Sequence, residues 1–534
     1  MKLYIYISYC VCLLLLSGCL DDKGSYDYKD LNSPTWLINI EEDFIKTNCY
    51  EGEIAKFCGH DYFRWKDDSI GHEANVRYEW KLNGDLLSTE ADFDIATDSL
   101  IKLVGEDPFN ENGIYGTFSV IDKTTDITFL VKTAIFIYSR YGEGNWLILS
   151  EDGDGSKLSF VKRRSGSNGV FYELTDNIFK KINGVDIPGK PIELAKAIEA
   201  NVGAIGTTTV MTSQVAYVIN NEDQVKVSEL KDEFMDVTPE NFDVVDRHDC
   251  DNFTFLATKN GEIFQRVRSE NYLGGQFVSI PYVVDEKGYK VTKFGHSASN
   301  IATVPCYDEK NGRVLVITFD SEETFEPEYQ KYRVSKISPV LKGVTGMDNI
   351  VPVWGMPEGS ECLFLTSNAY IDISGGEAFT IVYNDASANT FIADFAVSYS
   401  NNTCLQNSDL EIIPFPGGNL NKESLFLTSA SWSYGRPNDV VIYTKDREIR
   451  YLTREDNKDY ALLSCDAKVT YIGYTTLYYE DRYSKLVVGL EDGSLLFYDI
   501  SDKRSPKLLS KLKLNGKIVD AQEIGNVYNG GDAY

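Results

Sequence analysis

The chain has 534 residues and a formal net charge of −29, and its length predicts more than one domain. The charge argues against binding to nucleic acid, which requires a basic surface, and against binding to anionic lipid. Aromatic residues make up 13% of the chain, which is typical of β-proteins that pack these side chains between strands.

The first residues have the form of an export signal. Lys2 precedes an apolar run over residues 3–16. This run is too short to span a bilayer and has the size of a signal-peptide core. The segment Leu16-Ser17-Gly18-Cys19 closes it and has the form of a bacterial lipobox. We therefore predict a signal peptide over residues 1–18 and a lipid on Cys19, which would anchor the protein to a membrane. Ordinary secretion, with cleavage after Ser17-Gly18, is the alternative.

Residues 19–35 read as a flexible tether. They are rich in Asp, Lys, Gly, Ser and Tyr, and Pro34 stands near their end. The acidic pair Asp21-Asp22 follows the cysteine and resembles the surface-export signal of Bacteroidota lipoproteins. That resemblance implies a protein anchored in the outer membrane and facing the cell exterior.

Residues 36–140 read as a β-sandwich. The segment Arg77–Leu82 alternates apolar and polar residues, and Asn83-Gly84 supplies a hairpin turn. Two further strand-like segments are Tyr115–Asp122 and Ile127–Tyr138. This pattern predicts an Ig-like sandwich with Trp80 in its core.

Several of these segments resemble one family. Tyr78-Glu79-Trp80 and the later strand with Val120 and Asp122 look like a PKD-type domain. The tether residues 23–28 and the segment Gly144–Leu149 resemble parts of the PKD-like family lipoproteins of Bacteroidota, as do residues 183–191. The resemblance implies a surface lipoprotein of a Sus-like nutrient-uptake system, and none of its motifs is catalytic.

From Trp146 onward, short apolar strands recur about every 40–70 residues, which predicts a β-propeller-like domain of about seven blades over residues 141–534. Two or three further β-sandwiches are the competing architecture. One short helix is predicted from Pro191 to Ala200. The recurring strands are Trp146–Leu149, Ala216–Ile219, Phe253–Ala257, Val314–Phe319, Leu363–Thr366, Leu425–Thr428 and Leu486–Leu490.

Two pairs of residues suggest a bridge and a metal site. Cys49 and Cys58 could form a disulfide at the start of the sandwich, and the remaining cysteines show no zinc-ligand spacing. Asp152 and Asp154 stand in a Gly-rich turn and could bind calcium, because hard cations prefer clustered carboxylates. A solvated hairpin turn is the alternative. No other cofactor is indicated.

The segment with Trp432, Tyr434 and Arg436 is the best candidate for ligand binding. These side chains can stack on a sugar or planar face and hydrogen-bond its edge, and the Gly and Pro around them indicate a loop. Trp354 stands in a second such loop. The alternative is that these aromatic side chains fill the core between blades.

The family resemblance implies an accessory subunit that binds or presents a glycan or a peptide. Its partners would be a TonB-dependent transporter and the lipoprotein lid of that transporter. No catalytic motif such as GxSxG stands out, so we expect a binding protein rather than an enzyme. One alternative is a propeller-type glycoside hydrolase or lyase that uses a pair of carboxylates. A subunit with a purely structural docking role is the other alternative.

Overall fold

The computed structural model divides the chain into an N-terminal unit, Met1–Arg140, and a C-terminal unit, Tyr141–Tyr534. Neither helix in the described part of the chain has the length and apolar character needed to cross a membrane. The described residues are 33–39, 44–65, 72–110, 112–142, 144–166, 169–197, 205–240, 242–250, 253–267, 275–295, 303–319, 335–343, 349–367, 376–400, 403–407, 412–428, 440–475 and 483–525. The predicted signal peptide and Cys19 lie outside them.

The N-terminal unit is a β-sandwich with one short helix. A five-stranded sheet has the order β2-β9-β8-β5-β6, and two-stranded sheets pair β3 with β7 and β1 with β4. Its elements are β1 (Thr35–Trp36), β2 (Ile45–Tyr50), β3 (Ile54–Cys58), a 3-10 turn (Gly59–Asp61), β4 (Phe63–Arg64), β5 (Val76–Leu82), β6 (Asp85–Ser88), β7 (Asp92–Ala96), α1 (Thr97–Val104), β8 (Ile114–Asp122) and β9 (Thr128–Tyr138).

The alternation of β5 places Trp80 in the core, as predicted. Its side chain is 2% exposed and stacks on Phe118 with ring centroids 4.4 Å apart. The indole N–H donates to the Ala91 carbonyl at 3.0 Å, so the buried polar atom has a partner. Asn83 and Gly84 both have positive φ, at 50° and 93°, and form the predicted turn between β5 and β6.

The predicted disulfide between Cys49 and Cys58 is wrong. Both thiols are free; Cys49 is buried and Cys58 is exposed. Cys49 lies on β2 and points into the core, whereas Cys58 ends β3, which pairs with β7 in another sheet. Their side chains point into different environments, so the short separation in sequence does not bring the sulfur atoms together.

His60 is held between two carboxylates of the N-terminal unit. Its Nδ1 lies 2.7 Å from Asp92 Oδ2, and its Nε2 lies 3.2 Å from Glu73 Oε1. Glu73 also accepts hydrogen bonds from the indole of Trp65 and the hydroxyl of Tyr78. Burial alone would lower the pKa of His60, but the hydrogen bond and charge of Asp92, together with Glu73, raise it.

The contacts of His60 with Asp92 and Glu73 predict that the stability of the N-terminal unit depends on pH. Because the pKa of His60 is raised on folding, protonated His60 stabilises the fold fully below about pH 6.5, its unfolded value, and this contribution is lost as pH rises through the folded pKa. The imidazole is partly exposed, so we expect less than about 1 kcal/mol. Chemical unfolding of His60→Gln at pH 6 and pH 9 should show a flatter pH dependence than the native chain. A native pH dependence in His60→Gln would contradict the stabilising role of protonated His60.

The C-terminal unit begins with three strands and a helix and continues as short antiparallel strands. Its elements are β10 (Trp146–Asp152), β11 (Gly155–Gly166), β12 (Gly169–Thr175), α2 (Ile178–Asn183), β13 (Pro191–Ala197), β14 (Thr207–Thr212), β15 (Ala216–Asn220), β16 (Lys226–Glu229), a 3-10 turn (Leu230–Glu233), β17 (Val244–Cys250), β18 (Phe253–Thr258), β19 (Ile263–Val267), β20 (Thr303–Asp308), β21 (Arg313–Phe319), β22 (Ser335–Lys342), β23 (Glu361–Ser367), β24 (Gly376–Asn384), β25 (Thr390–Ser400), β26 (Thr403–Gln406), β27 (Ile412–Pro414), β28 (Phe426–Thr428), β29 (Val440–Lys445), β30 (Glu448–Thr453), β31 (Lys458–Ser464), β32 (Val469–Tyr474), β33 (Lys485–Leu490), β34 (Ser494–Asp499), β35 (Lys507–Lys513) and β36 (Ile518–Glu523).

These strands form seven blades in the part of the chain that the structure describes. The last strand, β36, pairs with β10 and so completes the first blade, which closes the ring. The inner strands of neighbouring blades lie side by side, as β13 does with β36 and β17. The blades are β36-β10-β11-β12, β13-β14-β15-β16, β17-β18-β19, β20-β21-β22, β23-β24-β25-β26, β28-β29-β30-β31 and β32-β33-β34-β35.

An apolar core fills the space between each pair of neighbouring blades. Each blade is covered on both faces, which explains why β10 reads as the continuous apolar run Trp146–Leu149 rather than as an alternating strand. The predicted fold class, a PKD-like sandwich followed by a propeller-like domain of about seven blades, is confirmed. In ring order the cores pair Leu147 with Val210, Met211 with Leu256, Phe255 with Val304, Val316 with Phe379, Ile392 with Val441, Ile442 with Leu486, and Val487 with Trp146.

Two features depart from a regular propeller or from the prediction. Three residues of β22 pair in parallel with β26, so the fourth and fifth blades share one continuous sheet. The helix predicted over Pro191–Ala200 is wrong, because residues 191–197 form β13, the inner strand of the second blade. Pairing with β14 and burial of Leu194 against the first blade override the helical spacing of its charged residues.

Candidate functional site

The inner strands of the propeller enclose a cavity of about 260 Å³. This is smaller than most drug-sized ligand pockets and has room for about one sugar ring or one amino-acid residue. Its wall comes from Trp146 on β10, Glu193–Lys196 on β13, Asp246–Asp249 on β17, Lys293 and Phe294 before β20, Phe426–Thr428 on β28, Tyr471–Tyr474 on β32 and Asp520–Glu523 on β36.

Three carboxylates and one lysine meet at this wall. Glu193, Asp246 and Asp520 come from three different inner strands, and Lys293 comes from the segment that leads into the fourth blade. Burial, and then the charge of Glu193, raise the pKa of Asp520 to about 7 and that of Asp246 well above its usual range. The charge of Glu193 is the largest influence on Lys293 and raises its pKa. The cavity therefore disfavours the charged forms of Asp246 and Asp520.

Two of these carboxylates also join neighbouring blades. Asp520 Oδ2 accepts a hydrogen bond from the backbone N–H of Leu194 at 2.6 Å, which links β36 to β13. Asp246 Oδ2 accepts one from the backbone N–H of Phe294, also at 2.6 Å. Charge-assisted bonds of this kind fix the carboxylates in place. The positions of both groups are thus set by the ring itself.

A buried ion pair lies beside the cavity on β17. Arg247 Nε donates to Asp249 Oδ2 at 2.9 Å, and both side chains are at most 2% exposed. Arg247 also donates to the hydroxyl of Thr209 on β14 at 2.5 Å, so it connects the third blade to the second. Burial lowers the pKa of neighbouring His248 to about 4, which keeps its ring neutral at neutral pH.

Tyr471 forms an aromatic part of the wall. Burial and the charges of Asp520 and Glu523 raise the pKa of its phenol. The side chain of Tyr471 lies over the backbone of its own strand at Gly473. A Cβ added at Gly473 would lie only 2.1 Å from the Tyr471 hydroxyl oxygen. The absence of a side chain at Gly473 therefore sets the position of Tyr471 in the cavity.

Replacing Gly473 by alanine should displace Tyr471 and destabilise the C-terminal unit. Overpacking of this kind costs about 1–3 kcal/mol, which denaturant unfolding would measure. Gly355→Ala is a suitable control, because an added Cβ there meets no atom within 4 Å. Equal stabilities for the two variants would show that the Tyr471 ring is not held as described.

The predicted ligand-binding site stays a prediction, because most of its residues are outside the described part of the chain. Trp432, Tyr434 and Arg436 lie outside the described residues. Trp354 lies in the loop before β23, where it is half-buried and Lys342 Nζ stands 5.4 Å from its ring centroid. That position is away from the residues that line the cavity.

Asp152 and Asp154 flank the tight turn between β10 and β11. Asp152 pairs with Gly155 across the hairpin, and its carboxylate lies 3.1 Å from Lys157 Nζ. Within the described ranges, no three His, Cys, Asp or Glu residues are grouped so as to hold a metal ion. Calcium binding at this turn stays a prediction, and the geometry is that of a solvated hairpin.

Sequence reasoning missed the cavity residues, although a signal was present. The segment Val244–Cys250 contains Asp246, Arg247, His248 and Asp249 within a strand whose neighbour β18 is wholly buried. Four polar residues beside such a strand indicate a polar interior surface. Two of their partners, however, are distant in sequence: Thr209 lies 38 residues from Arg247, and Phe294 lies 48 residues from Asp246.

A family model described as the PKD-like family matches residues 19–191. The match covers the sandwich and also β10, β11, β12 and α2 of the first blade, and it ends where β13 begins. The N-terminal part of the chain is therefore PKD-like, as the sequence resemblance predicts.

Several solved structures are similar to much of the chain, with low sequence identity and low TM-scores. The fold assignment therefore rests on the strand pairings described above. A quinonprotein alcohol dehydrogenase-like protein from Bacteroides thetaiotaomicron is 10% identical, with a TM-score of 0.33 over 92% of this chain and 97% of its own. Sqt1 from Chaetomium thermophilum is 10% identical, with a TM-score of 0.36 over 70% and 87%. The designed protein Ika8 is 11% identical, with a TM-score of 0.34 over 71% and 91%. No curated protein matches the chain.

Proposed function

We propose that this protein is a lipoprotein of the outer-membrane surface that serves as an accessory ligand-binding subunit of a TonB-dependent uptake system for glycans or peptides. A PKD-like domain followed by a propeller-like domain fits a surface or extracellular binding protein. The lipobox at Cys19 and the acidic pair Asp21-Asp22 support the anchor and the outward orientation. The transporter and its lid as partners follow from the family resemblance.

The observation that carries the binding function is the cavity on the propeller axis. It combines fixed carboxylates with the aromatic ring of Tyr471, and carboxylates together with aromatic faces can hydrogen-bond and stack on a sugar ring. Asp246 and Asp520 are held by backbone N–H groups, so their side chains would lose little conformational entropy when a ligand binds. The PKD-like unit would act as the spacer between this site and the membrane.

One observation favours a second candidate, a glycoside hydrolase or lyase. A carboxyl group with a pKa of about 7, as at Asp520, is suited to act as a general acid near neutral pH. Glu193 or Asp246 would then serve as the second carboxylate. Binding is the better-supported function. The hydrogen bonds of Asp246 and Asp520 to backbone N–H groups join the blades, and this structural role explains the two carboxyl groups without catalysis.

Another observation favours a docking role. Val237, Ile280 and Val283 are at least 72% exposed and lie in the segments that follow the second and third blades. The two segments that carry them are adjacent, because Phe234 bridges to Phe277. An exposed apolar group of this kind is typical of protein contacts, and it would suit docking to another subunit.

The proposal is tested by locating the protein and by comparing binding with turnover. The native chain should be cleaved by protease added to intact cells, and Cys19→Ser should be lost from the membrane fraction. Affinity electrophoresis through gels that contain polysaccharides, together with peptide-binding assays, should show retention without release of reducing ends or new peptide ends. Turnover that is abolished by Asp520→Asn would replace the binding function with the hydrolase.

A further inference from the structure

We propose that the propeller cavity binds its ligand through a primary ammonium group, held among the carboxylates of Glu193, Asp246 and Asp520. The class of ligand would be an amino sugar or a peptide amine. This inference rests on the proposed binding function and adds the chemical group that the cavity recognises.

The charges at the cavity wall favour a cation. Arg247 and Asp249 neutralise each other at 2.9 Å. The remaining wall carries four acidic and two basic side chains, and His248 is neutral because burial lowers its pKa to about 4. A ligand with positive charge would favour the ionised forms of Asp246 and Asp520, which burial and the charge of Glu193 otherwise disfavour. The four acidic residues are Glu193, Asp246, Asp520 and Glu523, and the two basic ones are Lys196 and Lys293.

A buried amide supplies independent evidence that the ligand donates hydrogen bonds. Gln522 lines the same cavity and is 8% exposed, and its Oε1 has no hydrogen-bond partner among the described residues. It lies on β36 two residues after Asp520, so both side chains are on the same side of the strand. A buried acceptor without a donor is unfavourable. An ammonium group carries three donors and no acceptor, which suits a wall of carboxylate and amide oxygens.

The cavity already stabilises one ammonium group, that of Lys293. The charges of Glu193, Asp246 and Asp520 all act on Lys293 and raise its pKa. Lys293 is an exposed residue of the cavity wall, so a ligand can approach the same carboxylates. In the described residues the carboxylates are not grouped at metal-ligand spacing, which favours an organic cation over a metal ion.

The test uses matched probes that differ only in the amine. Glucosamine is compared with N-acetylglucosamine and glucose, and lysine amide with its doubly acetylated form, by calorimetry on the full mature chain at low salt. We expect the amines to bind at least about tenfold more tightly than their acetylated forms. Equal or tighter binding of the neutral probes would overturn the proposal, as would the absence of binding by every amine up to about 10 mM.

Two variants should change affinity in opposite directions. Glu193→Gln removes a carboxylate and should weaken amine binding at least about tenfold, whereas Lys293→Gln removes a competing internal cation and should strengthen it several-fold. Glu222→Gln, on the exposed turn before β16, is the matched control and should leave affinity unchanged. Circular dichroism would verify the fold of each variant. Weaker binding in both cavity variants would mean that the site does not select for positive charge.

The two proposals can fail separately. Retention of a neutral glycan or acetylated peptide, with no effect of Glu193→Gln, would leave the binding function in place and remove the ammonium group from it. No retention of any glycan or peptide, charged or neutral, would remove both.

Discussion

Replacing Ile518 by aspartate should unfold the C-terminal unit at temperatures where the native chain is folded. Ile518 begins β36, is fully buried, and packs with Trp146, Val487 and Leu495 in the core that joins the seventh blade to the first. The packing is tight, because a Cβ added at Gly489 would lie 2.5 Å from Ile518 Cγ2. An unpaired carboxylate there has no partner and no water. We expect a loss of at least about 4 kcal/mol.

Leu508→Asp provides the matched control. Leu508 lies on β35, the outermost strand of the seventh blade, and is 51% exposed. The same change in chemistry should alter stability there by no more than about 0.5 kcal/mol. Scanning calorimetry of the full mature chain would measure both variants. Similar unfolding temperatures for the two variants would show that β36 does not close the ring.

Replacing Asp249 by alanine should be the second most damaging change. It leaves the guanidinium of Arg247 buried beside the cavity without its carboxylate. Breaking a buried ion pair from one side typically costs about 3–5 kcal/mol. The double variant Arg247→Met with Asp249→Leu should recover most of that loss, because it removes both charges and keeps the volume.

An exposed ion pair provides the comparison for Asp249. Lys180 Nζ lies 2.8 Å from Asp186 Oδ2, but both side chains are more than half exposed. Asp186→Ala should therefore leave the free energy of unfolding almost unchanged. Denaturant unfolding of all three variants measures the differences. Equal effects of Asp249→Ala and Asp186→Ala would contradict the burial of Arg247.

The sandwich could be predicted from sequence because its signals are local. The alternation around Trp80 and the turn at Asn83-Gly84 each act within a few residues, and both form as expected. The helix predicted from Pro191 does not form, because a contact with a distant part of the chain overrides its local signal. Glu193 and Lys196 have helical spacing, but the segment is the inner strand of the second blade, and packing of Leu194 against the first blade decides its conformation. Local spacing cannot reveal that contact.

The cavity could not be predicted because its residues are distant in the chain. Glu193, Asp246, Lys293 and Asp520 meet only when β36 closes the ring. No motif of fixed spacing connects them. The sequence instead directed attention to loop aromatics such as Trp354, since a Trp beside Gly and Pro is a local signal of exposure. Blade topology, which the sequence indicated only as a recurrence of strands, determines the site.

Assembly with an uptake system is tested most directly by a pull-down. The tagged, lipidated protein would be recovered from detergent-solubilised outer membranes, and its companions would be identified by mass spectrometry. We expect a TonB-dependent transporter and its lid lipoprotein in near-equal amounts with the protein. Recovery of the protein alone, from membranes in which both partners are present, would contradict its role as an accessory subunit.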